Sequence, residues 1–331
     1  LYMTVSGTSQ SASVAGGLAS LTREFLREQV GIQSPSASLI KAALINGADD
    51  LGAPDVPNNE EGWGQLNLAN TVMPTHSGSS LSTFYDDGKT LQPSFGLLYE
   101  LDLDPADGLE ITLAWNDEPG SANSAQSEAK LVNDLDLIVI DPDGNQMLGN
   151  NFNAGYSITG GVRDSLNNVE RVSIAPDTFT NSGQWLVQVV HRGGIDQDFS
   201  IVITGDASIV SRPDLLAFSE SIFLSSESPL QNDIISIRAS WMNQGTADAG
   251  AFDWKLEDLT EGTTLIQGQS SGVASSGIET KITTHSFTTT GIHTLKLSLD
   301  VNNVIDEMND ESSGINNNIL EIDIEVTALG V

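Results

Sequence analysis

The chain has 331 residues, enough for two or three domains, and no cysteine, so neither a disulfide framework nor a thiolate metal site is open to it. It carries 45 acidic against 13 basic residues, a net charge of −32, which repels phosphate backbones, argues against a nucleic-acid partner and offers carboxylates to hard cations. No apolar run reaches the length of a membrane span, and no signal peptide opens the chain.

The acidity is spread rather than gathered in a tail. Residues 1–75 carry a net −4, residues 76–205 a net −14 and residues 206–331 a net −14. With sparse Lys and abundant Asn, Gly, Ser and Thr, this composition suits a secreted protein in salty water.

The first informative stretch is Val5-Ser6-Gly7-Thr8-Ser9-Gln10-Ser11-Ala12, which leads into the small apolar run Val14-Ala15-Gly16-Gly17-Leu18-Ala19. The spacing predicts a helix over 8–30, with a first half small enough to be buried on most sides and an amphipathic second half ending at Gly31. A serine at such a helix start is ordinarily an N-cap. It also stands where outward N–H groups and the positive end of the helix dipole can hold an oxyanion. A second helix is predicted from Ser34-Pro35, with the stripe Leu39, Ile40, Ala43, Leu44 and a stop at Asn46-Gly47.

Read together, Gly7-Thr8-Ser9, the Ser34-Pro35…Leu39-Ile40-Lys41-Ala42-Ala43-Leu44 segment and Gly62-Trp63-Gly64-Gln65-Leu66-Asn67 resemble, in order, three landmarks of the subtilisin-like serine peptidases. The resemblance covers residues 1–74 and implies that Ser9 is the nucleophile and that its backbone N–H helps hold the oxyanion. Where the family usually has a proline four residues on, this chain has Ser13. The family's order is Asp, His, Ser, so the resemblance implies that the catalytic Asp and His, with the oxyanion Asn, lie before Leu1. The chain opens in mid-motif, which fits a piece of a longer polypeptide. None of His76, His191, His285 and His293 has the surroundings of the family's catalytic histidine. The chain alone is therefore expected to be inactive, since a serine hydroxyl needs an oriented base.

From residue 76 the pattern becomes period-two alternation, over 97–103, 109–115, 135–140, 168–174, 184–190 and 199–203, with Asp141-Pro142-Asp143-Gly144 as a turn. This predicts an antiparallel sandwich or jelly roll. Leu131-Val132-Asn133-Asp134-Leu135-Asp136-Leu137, Gly149-Asn150-Asn151-Phe152 and Asn167-Asn168-Val169-Glu170 resemble the β-domain that follows the catalytic domain in some secreted subtilases, similar to the P-domain of proprotein convertases. That resemblance implies a stabilising role, often with calcium. The chemistry agrees: Asp134 and Asp136 share one sheet face, and Asn150, Asn151, Asp164, Asn168 and Glu170 add hard oxygens. Turn capping or plain solvation is the alternative use of these residues.

Ser208–Pro213 reads as a linker. The runs at 213–215, 234–241, 243–247, 291–297 and 316–318 resemble a CARDB-type module, an immunoglobulin-like β-sandwich common on secreted prokaryotic proteins. Asp300, Asp306, Glu307 and Asp310 read as a solvated loop, or as a second calcium site.

The expected architecture is thus mainly β and multidomain. Residues 1–75 are the C-terminal helical piece of an α/β subtilisin-like domain, 76–207 a P-domain-like sandwich or jelly roll, and 208–331 an immunoglobulin-like sandwich. The expected function is that of the C-terminal part of a secreted serine endopeptidase acting on polypeptides. The alternative is a non-catalytic β-rich extracellular binding or structural protein carrying a peptidase remnant.

Overall fold

The structure is a computed structural model that describes residues 6–52, 55–123, 129–178, 183–308 and 317–328. It is mainly β, with antiparallel sheets, and divides into two units after Val210. Among the described residues, no helix is long and apolar enough to cross a membrane.

Unit 1 opens with helix α1 (Thr8–Phe25), which passes into a π-helical turn (Leu26–Val30) and stops at Gly31, whose φ of 90° is the left-handed C-cap glycine favours. Helix α2 spans Ala37–Asn46 and the short α3 spans Leu68–Val72. The sequence placed the start of α2 at Ser34-Pro35. Instead Ser36 is the cap, its hydroxyl accepting from Leu39 N at 3.0 Å, and Pro35 lies outside the helix. Gly47 follows α2 because a Cβ there would lie 2.6 Å from Thr71 N.

Strands β1 (Thr75–His76) and β2 (Ser79–Ser80) form a small hairpin. Strands β3 (Ser82–Leu91), β4 (Gly96–Trp115), β5 (Asp134–Ile140), β6 (Gln146–Asn153), β7 (Tyr156–Thr159), β8 (Val169–Ile174), β9 (Gly183–Gly193) and β10 (Gln197–Val210) make one sheet. Its order is β3-β10-β4-β9-β5-β6-β7, with β8 also paired to β4. The runs read as separate strands at 97–103 and 109–115 are one strand, β4. Opposite it, Gly205 pairs with Leu109 and the next residue, Asp206, pairs with Asp104, so residues 105–108 bulge out. The first half of β4 pairs with β9 and the second with β8, so a single sheet supplies both faces of a sandwich. Its core holds Tyr99, Trp115, Trp185 and Phe199 with the aliphatic residues between them.

The outer face of this sandwich is not left to water. Leu26, Leu39, Ala42, Ala43 and Ile45 pack on Ala114, Val169 and Val202. Two polar rivets hold α2 there. At its start, Asp87 accepts from Ser36 N (2.9 Å), Ser36 Oγ (2.5 Å) and Ser200 Oγ (2.7 Å). At its end, Asn46 donates to Thr204 Oγ1 (2.9 Å) and accepts from Thr112 Oγ1 (3.0 Å), all buried. Asp87→Ala removes the acceptor that Ser36 N and the hydroxyls of Ser36 and Ser200 share, and is expected to cost unit 1 about 1–3 kcal/mol, read as a lower denaturant midpoint at unchanged slope.

Ser208–Val210, read as linker, are the end of β10, paired with Glu100–Asp102. Unit 2 contains β11 (Leu215–Leu216), β12 (Ile222–Leu224), β13 (Ile235–Asn243), β14 (Phe252–Asp258), β15 (Thr263–Ser270), β16 (Ile278–His285), β17 (Gly291–Ser298) and β18 (Ile319–Val326). One sheet sets β11, β12 and β16 against β13, and the other runs β15-β14-β17-β18. Alternate residues of both sheets, Trp241, Phe252, Trp254, Leu256, Leu295 and Leu297, fill the space between them with Phe287.

Candidate functional site

Ser9 is the second residue of α1 and is exposed. It is not the cap. That position belongs to Gly7, at φ 153° and ψ 163°, a backbone region open essentially to glycine, and no side chain caps the helix. Gly7 C=O takes the N–H of Gln10 (3.0 Å) and Ser11 (3.3 Å), while the N–H of Ser9 belongs to the first turn, whose groups lack intrahelical acceptors. Ser13, standing where the proline was expected, donates its hydroxyl to Ser9 C=O at 3.0 Å.

Among the described residues, no imidazole or carboxylate is bonded to Ser9. The four histidines are engaged elsewhere. His76 Nε2 faces Asp107 at 3.9 Å, and His191 Nε2 meets Ile195 C=O at 2.7 Å. His285 packs edge-on against Phe287, and buried His293 lies between Asp258 Oδ2 (2.7 Å) and Thr289 C=O (3.1 Å).

The expected burial of the first half of α1 is not found. Val14 is 62 % exposed and Leu21 48 %, and nothing lies within 4 Å of a Cβ placed at Gly16 or Gly17. Alongside runs a groove of about 810 Å³, lined by Ser11, Val14, Ala15 and Leu18 of α1 and by Leu51 and Leu66 opposite. The sequence pattern records a helix built for close cover, and the described residues, α2, α3 and the loop residues Leu51 and Leu66 among them, supply that cover only in part.

The seven proposed calcium ligands do not form one cage. Asn150 donates to Asp164 Oδ2 (2.6 Å) and Val169 C=O (2.8 Å), and its Oδ1 accepts from Arg171 N (3.0 Å). Asn151 Oδ1 accepts from Val162 N (2.8 Å). Asp164 accepts from Leu166 N, Asn167 N and the side chains of Asn150 and Asn167. Asn168 ties Trp115 C=O to Lys41. These four hold a loop together.

Asp134, Asp136 and Glu170 behave differently. Each has one buried carboxylate oxygen, Asp134 Oδ1, Asp136 Oδ1 and Glu170 Oε1, with no hydrogen-bond partner. Asp136 Oδ2 is held by Arg192 at 2.6 Å and Arg163 at 3.4 Å, and Glu170 Oε2 accepts from Leu137 N at 2.6 Å. Burial, followed by the charges of Asp136, Asp164 and Asp134, raises the Glu170 carboxyl to about 9 against the one Leu137 bond that lowers it. Burial first and Asp136 second also raise Asp134. Unpaired buried oxygens of this kind suit a hard cation in chemistry, but these three do not bring their ligand atoms within 4.8 Å of one another.

Among the described residues, two groups bring ligand atoms within 4.8 Å of one another: Asp50, Asp55 and Glu61, and Asp258, Glu261 and His293. Neither was read from the sequence. The first spans an irregular loop, with only the acid-rich wording of 49–61 as a signal. The second depends on register between β14 and β17 and is closed by its own hydrogen bonds: Asp258 Oδ1 takes Thr260 N and Glu261 N, and Glu261 takes Thr288 and Thr289.

The acidic stretch near the end of unit 2 is a solvated loop only at Asp306, 84 % exposed. Asp300 and Glu307 are buried, because Asp300 caps Val304 N and Ile305 N while Glu307 accepts from Leu215 N (2.5 Å) and Asn318 Nδ2 (2.7 Å). Burial pushes the Glu307 carboxyl up to about 7. Asp310 lies outside the described residues.

The two-sheet sandwich of unit 2 agrees with comparison to known families, in which residues 212–321 match the CARDB family. Residues 212–321 are a CARDB module. No curated protein matches the chain. Among solved structures, the CARDB domain of a Pyrococcus furiosus protein, in complex with di-metal ions, is similar at 16 % identity over 35 % of this chain and 90 % of that one, with a TM-score of 0.30. Red sea bream transglutaminase is similar at 12 % identity over 80 % of this chain and 33 % of its own, with a TM-score of 0.26. Parabacteroides merdae β-glucuronidase follows at 11 % identity, 69 % of this chain and 27 % of its own, with a TM-score of 0.25.

Proposed function

We propose that the chain is the C-terminal part of a secreted subtilisin-like serine endopeptidase, with Ser9 as the nucleophile. The observation that carries this reading is the uncovered apolar face of α1 beside an exposed serine in its first turn. A helix of small residues with bare flanks is what remains when the rest of an α/β layer that would pack on it is taken away. On this reading, upstream residues of the same polypeptide supply the cover, the Asp–His pair and the Asn of the oxyanion hole.

In the completed site, the Ser9 hydroxyl gives its proton to the upstream imidazole as its oxygen bonds to the peptide carbonyl carbon. The Ser9 N–H, unbonded within the helix, faces the oxygen on which charge develops. The sandwich of unit 1 supports this machinery by gripping α2, and the CARDB module is an appendage of the secreted protein. Calcium belongs to this reading through Asp134, Asp136 and Glu170, whose mutual repulsion a cation drawn to their unpaired oxygens would offset once the three close in on it.

The test is a comparison of two proteins on one peptide substrate. The 331-residue chain alone is expected to give no turnover, and the polypeptide with its upstream segment is expected to cleave. Ser9-dependent cleavage by the isolated chain, or none by the longer polypeptide, overturns the reading.

A further inference from the structure

Unit 1 holds a second cleft, away from Ser9, where the helical segment meets the β-sandwich. Its volume is about 210 Å³. The turn after α3 contributes Pro74, and Leu81, Leu109 and Pro176 add apolar surface, interleaved with the polar side chains of Asn46, Asn70, Thr75 and Thr204. Junctions between packed layers of this kind are common ligand sites.

Two of the charged groups on the wall are spent on each other. Arg171, buried, donates through Nε (3.2 Å) and Nη2 (2.8 Å) to Glu110 Oε2, and Ser173 Oγ donates to Glu110 Oε1 at 2.7 Å. Asp107 is not closed in this way. Its carboxylate is 28 % exposed, and His76 Nε2 stands 3.9 Å from it, beyond hydrogen-bond length. The Tyr156 ring is 39 % exposed on the same cleft.

A partly exposed carboxylate and an aromatic ring that line one cleft with proline and leucine are complementary to a methylene stem that ends in a cation. The stem lies on proline and leucine, the head reaches the carboxylate and the ring face adds a second attraction. The acidic excess over residues 76–205 draws such groups in. An anionic guest would meet Asp107 and Glu110 with the one guanidinium already committed, and a neutral guest would leave Asp107 desolvated without a partner.

We propose that this cleft binds the lysine or arginine side chain of a polypeptide. The site stands apart from Ser9 and does not depend on the peptidase reading, so either can fail alone.

The experiment uses the 331-residue chain and blocked tripeptides, acetyl-Gly-Lys-Gly-amide with its arginine, norleucine and glutamate counterparts. Binding is followed by the NMR signals of the His76 imidazole and the Tyr156 ring. The lysine and arginine peptides are expected to shift both signals saturably, the norleucine peptide to bind about tenfold more weakly and the glutamate peptide not to bind. Asp107→Asn is expected to weaken lysine binding by about tenfold, and Asp107→Glu to restore most of it. Unchanged indole signals of buried Trp115 and Trp185 would establish that the variants are folded. Equal binding of lysine and norleucine peptides, unchanged affinity in Asp107→Asn, or binding that leaves His76 and Tyr156 unmoved would overturn the proposal.

Discussion

Replacing Ser9 by Ala in the polypeptide that includes the upstream segment is expected to lower kcat for peptide hydrolysis by about 10⁶, with KM little changed. The size follows from what the residue would do. The covalent step is lost outright, and only binding and oxyanion stabilisation remain. The KM is spared because Ser9 sits in the first turn of α1, exposed, with no side-chain bond that holds the fold together. In the 331-residue chain that exposure makes the control clean, since Ser9→Ala removes no buried contact there and thermal unfolding of unit 1 is expected to be unchanged within about 0.5 kcal/mol. A large fall in kcat with normal unfolding separates a nucleophile from a helix residue.

The second large effect concerns Glu170. Its carboxyl is raised to about 9, above the ordinary carboxyl value of 4.5, so the folded state prefers it protonated. The stabilising contribution is complete below the unfolded value and is lost as pH rises from about 4.5 towards 9, at up to about 1.4 kcal/mol per pH unit. In a chelator, wild-type unit 1 is therefore expected to lose stability between pH 5 and 9 more steeply than Glu170→Gln, whose amide can still accept from Leu137 N but cannot ionise. Added calcium is expected to flatten the wild-type slope, because a cation beside the unpaired oxygens of Asp134, Asp136 and Glu170 favours the ionised form. Chemical denaturation of wild type and Glu170→Gln across pH, with and without calcium, checks this. Parallel slopes for the two proteins in chelator would contradict the role given to Glu170.

Much of the β architecture was legible because each inner face alternates with an outer one. The runs at 135–140, 184–190 and 199–203 fall within β5, β9 and β10. The division of β4 was misread because residues 105–108 carry the residue types of a turn, and only the partner strand shows that they bulge from a continuous strand. The CARDB module was legible from its runs, and residues 212–321 match that family. The start of α2 lies two residues beyond the expected one, since Ser34-Pro35 has the wording of a helix start while the capping hydroxyl that accepts from Leu39 N belongs to Ser36.

The site was legible in chemistry but not in geometry. Sequence identifies oxygens, but not the donors that use them up, so Asn150, Asn151, Asp164 and Asn168 could not be told from Asp134, Asp136 and Glu170. The approach of Asp50, Asp55 and Glu61 depends on an irregular loop and has no periodic signature. The small residues of α1 foretold close packing, and the described residues leave that face open, which is why the uncovered helix carries the functional reading.

The most direct measurement is covalent labelling of the longer polypeptide by a fluorophosphonate, with the modified residue located by mass spectrometry. The expected result is a single adduct on Ser9, absent from the Ser9→Ala protein and from the isolated 331-residue chain. No adduct on the longer polypeptide, or an adduct on another serine that persists in Ser9→Ala, would contradict the assignment of Ser9 as the nucleophile.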